Sequence, residues 1–198
     1  MNWTRAVHHV ESAAEQCTRM TELPASMVSL RVTELWAFGD VLGPPHELER
    51  VSVALSVDLL ETEVPWLSQP HASEHWLNMT RLSKQPVQVC WRSSHAPVWN
   101  HRIVRPLLVW DEAAGLHADA LVALRTGTGE ASGLPEPTAP ELASRVAEEL
   151  AVSLASVRAC TQEYEDRLWG PAKMGPVADA LWRASAGYLD LLDAKSVQ

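Results

Sequence analysis

The chain has 198 residues, of which 25 are acidic and 16 are lysine or arginine, so its formal net charge is −9. This balance argues against unaided binding to a nucleic-acid backbone, because such binding requires clustered basic side chains. Apolar residues make up 46% of the chain, which excludes a largely disordered protein.

The first two thirds of the chain are predicted to form an α+β unit. Apolar residues recur every three or four positions from 3 to 20, the pattern of an amphipathic helix. One strand is predicted at 32–38 and another at 51–59, where apolar residues alternate with small or polar ones and indicate one buried face. The other elements predicted for this part are a helix at 73–83, strands at 87–92 and 103–110, and a short helix at 118–125.

The last third of the chain is predicted to be helical. Residues 127–139 are rich in Gly, Thr, Ser and Pro and are interpreted as a linker. Thr138 and Glu141 have the spacing of a capping box, which predicts the start of a helix that continues to the Gly170-Pro171 step. A second helix at 177–193 would complete an antiparallel helical hairpin.

These elements divide the chain into an α+β domain over 1–126, a linker over 127–139 and a C-terminal helical hairpin over 140–198 that packs on the first domain. The apolar stripes of the hairpin have two interpretations. They close the core of the same chain, or they leave a face for a homodimer or another protein partner. The stripes fit both interpretations.

Two segments resemble the minimal nucleotidyltransferase superfamily. Residues 35–39 read Leu-Trp-Ala-Phe-Gly and look like the Phe-Gly-Ser motif that ends a strand in that family, with Asp40 at the serine position. Ser56 and Asp58 align with the acidic pair of the next strand, with Ser56 in place of the first acid. Asp111 would sit where the third carboxylate is expected. The resemblance implies a nucleotidyltransferase-like mixed sheet with flanking helices behind a degenerate active site.

The departures from the family pattern decide between the function hypotheses. Two magnesium ions beside a triphosphate need several anionic oxygen ligands, and few remain here. We therefore prefer a non-catalytic binding or regulatory protein that needs no cofactor. One alternative is an active Mg²⁺-dependent nucleotidyltransferase with Asp40, Asp58 and Asp111 as catalytic triad and the last two as metal ligands. Another is a protein–protein interaction module that acts through the helical hairpin.

The preferred hypothesis requires a ligand pocket, for which a nucleotide is one possible occupant. The segment from Val98 to Arg102 contributes an aromatic ring for stacking and cationic groups for an anion. A purely structural loop is the alternative, in which Asn100 caps backbone groups and Trp99 fills the core. The residues assigned to the pocket are Gly39, Asp40, Ser56, Asp58, Trp99, His101 and Arg102.

The cysteines and the lack of long apolar runs bear on location. Cys17, Cys90 and Cys160 lie far apart, which is typical of reduced thiols in the cytoplasm and gives no zinc signature. No run of apolar residues approaches membrane-spanning length, so we expect a cytoplasmic protein without a membrane partner. Cys90 could be a nucleophile, although a buried, inert thiol is the default.

A second resemblance spans nearly the whole chain. Residues 63–67 and 97–102, together with the ending at 181–192, carry phrases similar to an uncharacterised group of actinobacterial proteins. This resemblance implies no particular activity.

Overall fold

A mixed β-sheet organises the computed structural model, which describes residues 1–170 and 173–196. The strand order across this five-stranded sheet is β3-β2-β1-β4-β5. β2 and β3 are parallel, and the other neighbouring strands are antiparallel. The strands are β1 (Val32–Phe38), β2 (Val51–Val57), β3 (Val87–Ser93), β4 (Leu107–Asp111) and β5 (Gly115–Leu116).

Helices cover both faces of the sheet. On one face, α1 buries the apolar stripe that its sequence period predicts. The other face is covered by the two long helices of the C-terminal hairpin, which were predicted as an antiparallel pair. The helices are α1 (Trp3–Thr21), α2 (Ser73–Met79), α3 (Ala118–Thr126), α4 (Gly129–Ser132), α5 (Ala139–Arg167) and α6 (Met174–Ser196). The predicted α+β class with flanking helices and a helical hairpin is confirmed.

Strand β2 is buried on both faces. Its apolar residues, among them Val53 and Leu55, pack in the core beneath α1. Ala54 packs in a second core with Val146 of α5 and Leu191 of α6. The alternation of β2 predicted only one buried face, because small side chains such as Ala and Ser resemble an exposed face in the sequence. In the structure the hairpin covers this second face.

The hairpin begins as predicted. Thr138 Oγ1 accepts a hydrogen bond from the Glu141 N–H, and the Glu141 carboxylate accepts one from the Thr138 N–H, which is a capping box. Gly170 lies in a turn after α5, whereas Pro171, the other residue predicted to end this helix, lies outside the described residues.

The segment predicted as a linker is packed against the first domain. It contains α4, whose Gly129 lies against the backbone of Leu42. Leu134 donates its N–H to the carbonyl oxygen of Pro106 at 2.9 Å and packs against the second core. Within the described ranges, no helix is long and apolar enough to cross a membrane.

Candidate functional site

The strand register separates two of the predicted site residues. β1 and β2 are antiparallel, with Val32 opposite Val57. Asp40 follows the end of β1 and Asp58 follows the end of β2, so the two residues lie at opposite ends of the strand pair. Strands of this length separate their ends by roughly 20 Å. Gly39, which makes a turn with φ +73°, stays beside Asp40 and does not share a pocket with Asp58.

Asp58 is held in an exposed ion cluster at the other end of the sheet. Its carboxylate lies 3.3 Å from the guanidinium of Arg31 and 3.0 Å from Nε2 of His95. Arg31 also contacts Glu112 at 2.7 Å. The Asp58 side chain is 42% exposed, so these contacts form an ion cluster at the surface.

Asp111 stabilises the turn between β4 and β5. Its carboxylate accepts hydrogen bonds from the N–H groups of Ala113 and Ala114 at 2.8 and 2.7 Å. His117 Nε2 lies 2.6 Å from the other carboxylate oxygen. The N–H of Ala114, followed by the bond to His117, lowers the pKa of Asp111 below its ordinary value. Asp111 therefore has a structural role in a turn.

The three aspartates predicted as a catalytic triad do not converge. Asp58 and Asp111 share one end of the sheet but use separate partners, and Asp40 lies at the other end. Among residues 1–170 and 173–196, no group of three or more His, Cys, Asp or Glu side chains is arranged to hold a metal ion. These residues therefore do not fit the Mg²⁺ site that the enzyme alternative requires.

The remaining predicted pocket residues are also dispersed. Ser56 is 1% exposed beneath the hairpin, and its hydroxyl has no hydrogen-bond partner among the described residues. Trp99 is half-buried, while Val98 and Ile103 of the same loop enter the second core. Asn100 accepts hydrogen bonds from the N–H groups that follow it, as the structural alternative for this loop predicted.

His101 and Arg102 do come together, around a residue that sequence analysis did not select. Asp190 of α6 accepts hydrogen bonds from Trp66 Nε1 at 2.8 Å, His101 Nε2 at 2.7 Å and Arg102 Nη2 at 2.5 Å. Burial opposes the charge of Asp190, but these three hydrogen bonds outweigh it and lower the pKa of the carboxyl to about 2. We call Trp66, His101, Arg102 and Asp190 the Asp190 cluster.

The Asp190 cluster predicts a pH dependence of stability. The carboxyl of Asp190 titrates near 3.8 in the unfolded chain and near 2 in the folded one. Its stabilising contribution is therefore complete above about pH 4 and disappears as the pH falls from about 4 to about 2. We expect Asp190→Asn to lower the urea midpoint at pH 6 more than at pH 3.

The matched control for this prediction is Asp179→Asn on the same helix. Asp179 forms a surface pair with Arg183 at 2.7 Å and is 52% exposed. Equal effects of both substitutions at both pH values would contradict the role assigned to Asp190.

A second polar group lies between the sheet and the hairpin and is buried except for Glu61, which is 27% exposed. Arg92 of β3 and Arg145 of α5 both bind the carboxylate of Glu149, with Arg145 at 3.0 Å. Asn100 Nδ2 donates to the same carboxylate at 3.0 Å, and Glu61 pairs with Arg145 at 2.6 Å. The two arginines and Glu149 are each at most 3% exposed. We call these five residues the buried ion network.

The buried ion network and the Asp190 cluster fix the hairpin on the sheet. The Arg92 guanidinium lies 5.5 Å from the centre of the Trp66 ring, which joins the two groups. Buried charges persist when each has a partner, and here two arginines face two glutamates. The sequence carried one signal of this arrangement. Arg145, Glu149 and Ser153 are spaced by four residues beside the apolar stripe of α5.

The thiol of Cys90 does not have the properties of a nucleophile. Cys90 is 9% exposed, and burial raises its pKa to about 11. The neighbouring Arg92 only partly offsets this effect. The thiol is thus protonated at neutral pH, in agreement with the default of an inert buried cysteine.

Large apolar side chains are exposed on the hairpin away from this buried region. Burial in α5 ends at Ser153. Beyond that point Leu168 and Trp169 are 41% and 92% exposed, and Trp182 of α6 is 65% exposed. We call residues 154–170 and 173–183 the outer hairpin.

Comparison with known proteins adds a family but no activity. The model of a family described as Domain of unknown function (DUF7711) matches residues 1–197. No curated protein and no solved structure matches the chain. Kinship with nucleotidyltransferases and with actinobacterial proteins stays a prediction.

Proposed function

The chain belongs to that family, and because the family description names no activity, we propose a function from the geometry of the hairpin. The protein is a non-catalytic protein–protein interaction module that associates with a second copy of itself through the outer hairpin. The non-catalytic part of this proposal is supported by the separation of Asp40, Asp58 and Asp111, which do not form a common site. The half-buried seam of the outer hairpin supports the interaction part.

The seam is an apolar stripe that two helices alone cannot enclose. In α5, Leu154, Val157, Thr161 and Tyr164 follow steps of three and four residues, the spacing of a coiled-coil seam. All four are only half-buried. Leu181 continues the seam on α6 and is also half-buried. No residue of α5 beyond Ser153 is buried, so the outer part of the stripe is not fully enclosed by the other residues that the structure describes.

A second copy of the chain fits this seam in shape and in charge. Two hairpins related by a twofold axis form a four-helix bundle, in which each half-buried stripe meets an identical stripe. Residues 154–183 carry four basic and four acidic side chains, so their formal charge is zero in a chain of −9. Two copies therefore approach at this surface without the repulsion that the rest of the chain would impose.

Self-association predicts the effect of one charged substitution. We expect wild-type protein to have twice the monomer mass by light scattering at micromolar concentration. Leu168→Glu places a charge at the end of the seam, so we expect it to shift the protein to the monomer mass. Sedimentation equilibrium measures the change in dimer dissociation constant.

Val122→Glu on α3 is the matched control. Val122 is 54% exposed, and α3 packs against α1 on the face of the sheet opposite the hairpin, so we expect its substitution to leave the dimer mass unchanged. Circular dichroism confirms that both variants are folded. A monomeric wild-type protein at all concentrations would refute the proposed self-association.

A further inference from the structure

The outer edge of β3 is an open strand edge. β3 stands at one end of the sheet order and pairs with β2. Its seven residues keep a regular register with β2, from Val51 opposite Val87 to Val57 opposite Ser93. No bulge interrupts this register. Exposed regular edges are templates for another strand, and folded proteins usually block them with bulges, charges or proline.

Alternate backbone groups of β3 point away from β2. Val51 donates its N–H to the carbonyl of Pro86, and Ser94 donates its N–H to the carbonyl of Val57. In a parallel ladder this places the N–H and C=O groups of even-numbered β3 residues toward β2. The backbone N–H and C=O groups of the odd-numbered residues Val89 and Trp91 therefore point away from β2, toward the open edge of the sheet.

These outward groups are free to bind another strand. Among the hydrogen bonds of the described ranges, none involves the backbone N–H or C=O of Val89 or Trp91 on this outer side. Both residues line a groove beside this edge. An extended peptide laid along the groove would meet a ladder of unused donors and acceptors.

The groove is formed by β3, the loop after Trp66 and helix α6. Its volume is about 300 Å³. Leu67 on the loop and Trp182 on α6 supply apolar walls, and Gln69 and Gln88 supply amides. Arg50 and Arg183 also line it. We call this cavity the β3 groove.

The charge of the β3 groove is opposite to that of the chain. None of its lining residues is Asp or Glu, although 25 of the 198 residues are acidic. Arg183 pairs with Asp179, four residues earlier, at 2.7 Å, and Arg50 lies 3.6 Å from the adjacent Glu49. Arg183 and Arg50 are 32% and 56% exposed, so both pairs are accessible to solvent. Such exposed pairs contribute little and exchange readily for a ligand carboxylate.

We propose that the β3 groove binds an extended peptide segment of a partner protein, which adds to the sheet beside β3. Its backbone pairs with the outward groups of Val89 and Trp91. On the side that faces α6, it carries an apolar residue against Trp182 and acidic residues toward Arg50 and Arg183. The β3 groove shares Trp182 and Arg183 with the outer hairpin but contains no residue of its seam. The inference therefore does not depend on self-association.

The test uses a designed heptapeptide of sequence Thr-Glu-Thr-Leu-Thr-Glu-Thr, labelled with fluorescein and titrated with the full chain by fluorescence anisotropy. We expect saturable binding that is at least about tenfold tighter than for the same peptide with lysine in place of glutamate. N-methylation of the alternate amides that face β3 abolishes binding, whereas methylation of the other amides leaves it unchanged. No saturation, or equal binding of the lysine peptide, overturns the proposal.

Two variants locate the binding at the β3 groove. Val89→Pro removes an outward N–H that β2 does not use, so we expect the protein to stay folded and peptide binding to disappear. Arg50→Glu combined with Arg183→Glu weakens binding by about tenfold or more, whereas the control Arg5→Glu with Arg19→Glu, on exposed positions of α1, does not. Unchanged binding in Val89→Pro, with circular dichroism like wild type, contradicts strand addition.

The same variants separate this inference from self-association. Leu168→Glu keeps peptide binding even when it is monomeric. Val89→Pro keeps the mass of the wild-type protein in light scattering. If Val89→Pro instead changes the mass, a second copy of β3 occupies the edge, and the inference of a peptide ligand is wrong.

Discussion

Glu149→Ala is expected to destabilise the protein by about 3–5 kcal/mol, the range for removing one partner of a buried ion pair. The substitution leaves Arg92 and Arg145, both 3% exposed, without the carboxylate that they share. It also removes the acceptor of the Asn100 amide. Urea denaturation followed by circular dichroism measures the loss as a lower midpoint. A second readout is hydrogen exchange, which we expect to quicken in α5 and α6.

Glu148→Ala provides the matched control for the buried ion network. Glu148 precedes Glu149 on the same helix and also pairs with Arg145, at 3.4 Å, but its side chain is 59% exposed. Exposed pairs contribute about 0–1 kcal/mol, so we expect little change. Glu149→Gln keeps the shape of the side chain and removes the charge, and most of the loss should remain. Similar midpoints for Glu148→Ala and Glu149→Ala would show that the network does not hold the hairpin.

The buried ion network also explains why the hairpin is a fixed platform. Apolar stripes with steps of three and four allow a helix to slide by one turn with modest change in contacts. Glu149 contacts Arg92 of β3 and Asn100 of the loop that follows β3, and a slide of α5 by one turn would break both of these contacts. The outer hairpin and the β3 groove are therefore held in one geometry.

Local periodicity accounts for the part of the fold that was predictable. The stripe of α1, the alternation of β2 and the capping box of Thr138 and Glu141 are each encoded within one continuous segment, the longest of which is the 19-residue α1. Each one required only the period of its own element. The class α+β and the helical hairpin followed from them.

Local periodicity does not indicate whether two strands run parallel or antiparallel. The resemblance to nucleotidyltransferases grouped Asp40 with Asp58 because both follow strands in the sequence. Whether two such residues meet depends on whether their strands are parallel, and here β1 and β2 are antiparallel. Asp58 instead contacts Arg31 and His95, which are 27 and 37 residues away from it in the chain.

Burial of polar residues was the other unpredictable feature. Arg92, Arg145 and Glu149 have the composition of a solvated surface, and only tertiary contacts make them interior residues. Asp190 was missed for the same reason, since its partners lie 88 to 124 positions away. His101 and Arg102 were selected from their loop, but as ligand-binding residues, whereas both contact α6.

Gly187→Ala is expected to destabilise the protein by about 1–3 kcal/mol through overpacking. A methyl group at Gly187 would overlap the carbonyl oxygen of Trp66, which is a backbone atom. Trp66 has little freedom to retreat, because its indole donates to Asp190 and its ring lies against the Arg92 guanidinium. The favourable helix propensity of alanine, about 1 kcal/mol, offsets only part of the loss. The urea midpoint measures the net effect.

Gly175→Ala makes the same chemical change near the start of the same helix, where a methyl group meets no atom within 4 Å apart from those of its chain neighbours and its own helix backbone. The ring of Pro176, which follows, disfavours helical geometry in a preceding residue that carries a Cβ, and this offsets the gain in helix propensity. We therefore expect this variant to be about as stable as wild type. If the midpoint of Gly187→Ala is equally close to that of wild type, then α6 and the Trp66 loop are not in close contact in solution, and the wall of the β3 groove is not fixed as described.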